Sequence, residues 1–254
     1  MLSIVLTGTG NVAQQLFTAM HNKKGVKIIQ VIGRDKKKLT PFKNCPETTT
    51  DYEHISDADI YIIAVNDDSI ETVVQHFKNK SGLVAHTSGT MPLSALPASA
   101  RRGVFYPLQT ISKERKVDFS EVPICIEAEN SEDYKMLEEL AGSISDHIQI
   151  MSSNQRKLVH LAAVFVNNFT NHLYLIGSDI CNEAGISFNI LKPLILETAK
   201  KATEMSVLKA QTGPAMRHDQ TTIDQHLDLL KKENHKNIYS VLSNSIQKTH
   251  GKKL

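Results

Sequence analysis

The stretch Ile4-Val5-Leu6-Thr7-Gly8-Thr9-Gly10-Asn11-Val12-Ala13 decides the fold of the N-terminal half. Ile4 to Leu6 is an apolar run short enough for a buried strand, and Val12, Leu16 and Met20 recur at helical spacing after it. The two glycines between them have separate jobs. Gly8 permits a tight turn out of the strand, Gly10 leaves the backbone open to a pyrophosphate, and Ala13 is small enough for the helix to lie on the sheet. The unpaired N–H groups and partial positive charge of the helix start then face the phosphates. The stretch predicts a dinucleotide site built by Gly8, Thr9, Gly10, Asn11 and Val12. The alternative is a glycine turn that only joins strand to helix.

Working outward, Val26 to Ile32 reads as a second strand ending at Gly33-Arg34-Asp35. An acid at this strand end holds a ribose 2′-hydroxyl in dinucleotide folds. Gly33 stands there instead, and the Arg34 fork matches the oxygens of a 2′-phosphate, so NADP(H) is expected over NAD(H). Asp35, one residue on, keeps the ribose ligand open as the other reading. A third strand, Ile60 to Val65, places Val65 and Asn66 at the ligand crevice, with Asp67 or Asp68 capping the helix that follows. Leu83 to Ala85 runs into His86-Thr87-Ser88-Gly89-Thr90, which puts Thr87 beside the cofactor and, at its nicotinamide edge, His86 as a candidate catalytic group and Ser88 as a substrate-binding one; a histidine that only holds the turn is the alternative. Shorter pieces follow: strands at Val104–Tyr106, Pro123–Ile126 and His147–Met151, and a helix at Ser131–Ala141 with Ser131 as its cap. The pattern predicts an α/β class, with a doubly wound, mostly parallel Rossmann domain over residues 1–151.

Residues 152–254 read as all helix, a substrate and dimerisation domain. Apolar positions from Leu158 to Ile176 keep the helical period, predicting one spine helix from Asn154 to about Glu183. Such a helix is about 45 Å long, beyond the width of a small domain, so it needs other helices or a second subunit against it. Helices are also expected near 189–208, 220–232 and 237–249, with Asp219 capping the one that starts at Gln220. A net charge of +2 over 254 residues gives no basis for a nucleic-acid or membrane partner, and Lys252-Lys253 reads as a solvated pair. Cys45, Cys125 and Cys181 have neither metal nor disulfide spacing, which suits a reducing cytoplasm. No metal is expected.

A short Rossmann domain, a long helix and an all-α domain together resemble the superfamily of 6-phosphogluconate dehydrogenase, β-hydroxyacid dehydrogenase, ketopantoate reductase and pyrroline-5-carboxylate reductase. More closely, His86-Thr87-Ser88-Gly89, Tyr106-Pro107-Leu108-Gln109-Thr110, His160 to Asn168 and Gly213-Pro214 to Asp219 resemble one bacterial family. That family joins a domain similar to the deazaflavin-dependent NADP oxidoreductases to a helical domain of unknown function. The resemblance implies fold and cofactor, and leaves the substrate open. One departure stands out. Relatives of the β-hydroxyacid dehydrogenase type carry K-x-x-x-N on the long helix, and counting back four from Asn167 or Asn168 gives Ala163 or Val164.

His160 can share a helix face with Asn167 and Asn168, and an imidazole can donate or accept a proton at neutral pH. It is the candidate acid, with Asn168 orienting a substrate and Asn167 binding it; packing between helices is the alternative for all three. Arg217, in the long loop of the helical half, could hold a carboxylate or sit in a surface ion pair. The expected activity is an oxidoreductase acting on a small carbonyl or imine. A nucleotide-binding sensor or scaffold is the competing class, and reduction of a deazaflavin is a third reading. A homodimer through the helical half is expected.

Overall fold

The N-terminal strand Leu2–Thr7 (β1) is buried on both faces from Ile4 onward, and everything around it is arranged to keep it so. The computed structural model describes residues 1–113 and 115–250, and Lys252-Lys253 lies outside the described residues. Helix Asn11–Met20 (α1) follows β1, then strands Val26–Ile32 (β2), Glu47–Thr49 (β3) and Ile60–Ile63 (β4). Helix Asp67–Val73 (α2), strands Leu83–His86 (β5), Arg101–Pro107 (β6) and Ile124–Ala128 (β7), helix Ser131–Gly142 (α3) and strand Ile148–Ile150 (β8) complete the alternation. Among the described residues the eight strands form one sheet in the order β3-β2-β1-β4-β5-β6-β7-β8. All pairs are parallel except β6 with β7. This is the doubly wound Rossmann order, and the crevice opens where the order reverses beside β1 and β4. Alternate residues of β1 feed opposite layers. Ile4 and Leu6 join Leu16, Met20, Leu137 and Leu140 on one face, and Val5 joins Ile63, Ile70 and Phe77 on the other.

Several local expectations are corrected. The edge strand β3 has no apolar signal: its backbone pairs with β2, and its Glu47 side chain accepts from Gln30 of β2 at 2.8 Å. Asn66 occupies the cap position of α2, while Asp67 is already helical and its carboxylate accepts from the Thr90 hydroxyl. Helix α3 is capped one residue earlier than Ser131, by Asn130, whose side chain accepts from the Glu132 and Asp133 amides. The expected spine helix is present over 153–183, but not as uniform α-helix: Ser153–Ala163 (α4) passes through a π-helical stretch, Val164–Phe169, into Thr170–Glu183 (α5). A turn at Phe188–Leu191 precedes Lys192–Glu204 (α6) and the short Val207–Ala210 (α7), so the helix expected over 189–208 is divided. Helices Gln220–Leu229 (α8) and Glu233–His250 (α9) follow, and Asp219 caps α8 through the Thr222 amide.

The chain divides into two compact units, Met1–Asn167 and Asn168 onward. The helical half expected from 152 therefore begins inside the first unit. The physical reason lies at the start of α4. The Arg156 side chain is fully buried, ion-paired to Glu127 of β7, and donates to the Met91 carbonyl at 2.5 Å. Glu127 also accepts from the Ser153 amide and hydroxyl, at 2.9 and 2.8 Å. Arg156, Ser153 and Glu127 thus bond to one another across α4 and β7 and fasten α4 to the sheet, although the buried Arg156 Nε finds no partner among the described residues.

Candidate functional site

Gly8 has φ +122°, and a Cβ there would stand 2.0 Å from the Ala64 carbonyl oxygen, so only glycine allows β1 to turn against β4. A Cβ on Gly10 would meet nothing within 4 Å, which leaves the space over the start of α1 open. No side chain caps that helix start and no acidic residue stands in its first turn. Its amides are therefore directed at an open, uncompensated pole, which suits a pyrophosphate. Gly8, Thr9, Gly10, Arg34, Val65 and Asn66 all line a cleft of ≈ 200 Å³ at this point. Asn11 is exposed with its amide 3.4 Å from the Ile111 carbonyl, and Val12 packs on the core. Both stand in the first turn of α1, outside the lining of the cleft.

The second end of the cleft bears on the 2′-position. A Cβ at Gly33 would fall 2.4 Å from the Thr9 methyl, so the place of the ribose acid is closed by sterics. Asp35 lines the cleft as well, and its Oδ1 accepts from the Lys37 amide at 2.9 Å. Lys38 and Tyr52 join Arg34 in the lining. Lys38 was not expected from the sequence, where it is the last of the run Lys36-Lys37-Lys38 and nothing sets it apart from a solvated lysine. A larger hollow of ≈ 450 Å³ lies at the far end of α1, by Lys23 and Lys116, away from the glycine turn and the strand ends where an α/β sheet binds ligands.

The loop after β5 is the third part. His86 is fully buried. Its Nδ1 accepts from the Ser88 amide at 3.2 Å, so its Nε2 carries the proton and donates to the Pro92 carbonyl at 3.3 Å. Burial first, and the nearby Arg156 charge second, push it down to about 4, so the ring is neutral at physiological pH. It shapes the loop from inside. Ser88 is buried too, and its hydroxyl accepts from the Thr90 and Met91 amides. Thr87 is half-buried and donates its amide to the Ile63 carbonyl at 3.1 Å, tying the loop to the end of β4.

At the edge of this loop, α4 presents His160. Its Nδ1 lies 3.0 Å from the Tyr106 hydroxyl at the end of β6, with the rings edge to face. Gly89 lies against both, since a Cβ there would stand 2.6 Å from His160 Nδ1 and 2.8 Å from Tyr106 Cζ. Asn167 ends the first unit in π-helical geometry, where the residue one turn back is Ala162 under i→i+5 bonding, so the K-x-x-x-N pattern is not restored. Asn168 and Arg217 belong to the second unit, where both are exposed, Arg217 in the loop that follows Gly213. Among the described residues no group of three or more His, Cys, Asp or Glu is placed to hold a metal, and no helix is long and apolar enough to cross a membrane. The three cysteines are buried and unpaired with one another.

The family described as NADP oxidoreductase, coenzyme F420-dependent, matches residues 3–86, and a domain of unknown function (DUF2520) matches residues 122–246. A protein from Bacteroides fragilis, named as a candidate NADP oxidoreductase, is 37% identical over 97% of this chain and 98% of its own, with a TM-score of 0.89. The chain belongs to the family of that protein. Within this family's fold, a Thermotoga maritima protein has 16% identity over 98% of this chain and 100% of its own, with a TM-score of 0.79. A reductive aminase from Aspergillus terreus, in complex with NADPH and ethyl levulinate, has 13% identity over 99% and 95%, with a TM-score of 0.75. Both likenesses show the fold alone. The comparison with curated proteins gave no match.

Proposed function

We propose that this family member is an NADP(H)-dependent oxidoreductase acting on a small carbonyl or imine substrate. The observation that carries the reading is the placement of His160 at the strand-end edge beside Gly89, in the same unit as an uncapped, glycine-lined cleft. The cofactor is NADP(H), and when bound it supplies a hydride at C4 of its nicotinamide. The chain's own residues do the rest. Amides of the α1 start hold the pyrophosphate, and Arg34 with Lys38 binds the 2′-phosphate. His160 polarises or protonates the substrate heteroatom, the role that lysine has in relatives. Ser88 and His86 shape the loop behind it rather than touch the substrate. Asn167, the last residue of the same unit, is the proposed substrate-binding group, and a reducing, cytoplasmic setting suits three unpaired thiols.

The second unit supports a homodimer. Among its described residues only Cys181, Ala215, Ile223, His235 and Ser243 are buried, whereas Ile190, Leu196 and Val207 are at least 70% exposed. Helices that leave this much apolar surface open need a partner, and a second copy uses the same faces twice. A monomeric mass by light scattering would remove this part of the proposal. A sensor without turnover is the second reading, favoured by the alanine where relatives carry lysine. Incubating the protein with NADPH and a panel of small ketones, keto acids and cyclic imines separates the two. Loss of the reduced-nicotinamide absorbance with any member supports the enzyme, and tight NADPH binding without oxidation across the panel supports the sensor.

A further inference from the structure

The proposed reaction gives Tyr106 no role, yet the structure packs it with care. It stands at the end of β6, where Cys125 pairs with it across an antiparallel ladder, and it reaches the ring of a helix 54 residues later in the chain. Burial, with a smaller contribution from Cys125, pushes its phenol up to about 12, so the hydroxyl keeps its proton. The phenol oxygen is a weak acceptor, because its lone pair is delocalised into the ring, and an imidazole nitrogen is a strong one. In the neutral ring, Nδ1 therefore accepts from the Tyr106 O–H and the ring proton sits on Nε2. In the cationic ring, Nδ1–H donates to the Tyr106 oxygen and Nε2 is protonated as well.

From this geometry we infer that Tyr106 is a positioning residue that fixes the His160 tautomer, so that Nε2 presents an N–H toward the reacting heteroatom in either charge state. The inference rests on the assignment of His160 in the proposed function. Gly89 is part of the device. The space its missing Cβ leaves is where phenol and imidazole meet, and a methyl group there would stand within 3.0 Å of both rings. Three elements of one unit, the loop after β5, the end of β6 and α4, thus converge on a single hydrogen bond. Specifying which nitrogen carries the proton is what a polarising histidine requires, since the wrong tautomer would offer a lone pair to a substrate lone pair.

The test is nitrogen NMR of the histidine rings in the full-length protein, with the His160 signals assigned by loss in His160→Asn. In the parent, the neutral His160 ring is expected to be protonated at Nε2 and unprotonated at Nδ1. In Tyr106→Phe the two tautomers should mix, and Gly89→Ala should do the same by pushing the rings apart. Thermal melting serves to show that each variant is folded. Once a substrate is in hand, Tyr106→Phe should lower kcat by about 10- to 100-fold with the KM for NADPH unchanged, and should add nothing to His160→Ala. A neutral parent ring protonated at Nδ1, or a tautomer unaltered by Tyr106→Phe, overturns the inference. Because the NMR result needs no substrate, a fixed tautomer in a protein that reduces nothing would count against the proposed function and leave the tautomer lock standing.

Discussion

Replacing Glu127 by Gln removes one negative charge and almost no volume, from a place where the structure depends on the charge. Arg156 is fully buried and cannot shed its proton, and Glu127, itself only 9% exposed, is its ion-pair partner. Leaving a buried charge without its partner costs about 3–5 kcal/mol. For a chain of this size, each kcal/mol lowers Tm by about 2–4 °C, so Glu127→Gln should melt about 6–20 °C below the parent. Circular dichroism on heating, at one pH and protein concentration, is sufficient to measure this. The double variant Glu127→Gln/Arg156→Met should recover most of the loss, because it removes the charge along with its partner. His160 lies one helical turn beyond Arg156, so the single variant should also lose turnover through the seating of α4. A Tm within about 3 °C of the parent would refute the reasoning, because it would mean that the guanidinium is compensated by something other than Glu127.

Arg34→Ala should weaken NADPH binding by about 10- to 100-fold and leave NADH binding nearly unchanged, measured by fluorescence titration with both cofactors. Equal losses for the two would move the 2′-phosphate elsewhere. Gly8→Ala should abolish cofactor binding and lower Tm, since its Cβ would overlap the Ala64 carbonyl at 2.0 Å and φ is +122°. His86 sets an acid limit. Its folded value of about 4 lies below the 6.5 of an unfolded histidine, so its stabilising effect is complete above pH 6.5 and is lost as pH falls toward 4. The whole window is worth about 3 kcal/mol, at 1.36 kcal/mol per pH unit, and His86→Gln should flatten the Tm-versus-pH curve there. A slope unchanged by that substitution would show that His86 is not the titrating group.

The strand-glycine-helix opening, the alternation up to β8 and the helical second half were legible because each is written in local periodicity and glycine placement. The cleft at the β1–α1 turn was legible for the same reason, since glycine placement and strand ends bring Gly8, Gly10 and Arg34 to one lining. What escaped the sequence depends on pairs distant along the chain. Nothing local to Glu127 or Arg156 marks them as a pair; β7 and α4 bring them together. Tyr106 and His160 belong to different elements, and nothing local marks the phenol as the partner of the imidazole. His86 shows the opposite error. Its place at a strand end suggested substrate contact, and only the bonds of its two ring nitrogens reveal that it faces inward. The π-helical turn at Val164–Phe169 is invisible to a count by 3.6 and changes which residues lie one turn before Asn167.

The central claim is that His160 acts on a substrate beside bound NADP(H), where the β-hydroxyacid dehydrogenase pattern would use a lysine. It is tested most directly by comparing His160→Ala with the parent on the first carbonyl or imine that oxidises NADPH, with NADPH affinity measured in parallel. The account predicts turnover lower by about 10²-fold or more at nearly unchanged NADPH affinity. Equal turnover by the two proteins would contradict it.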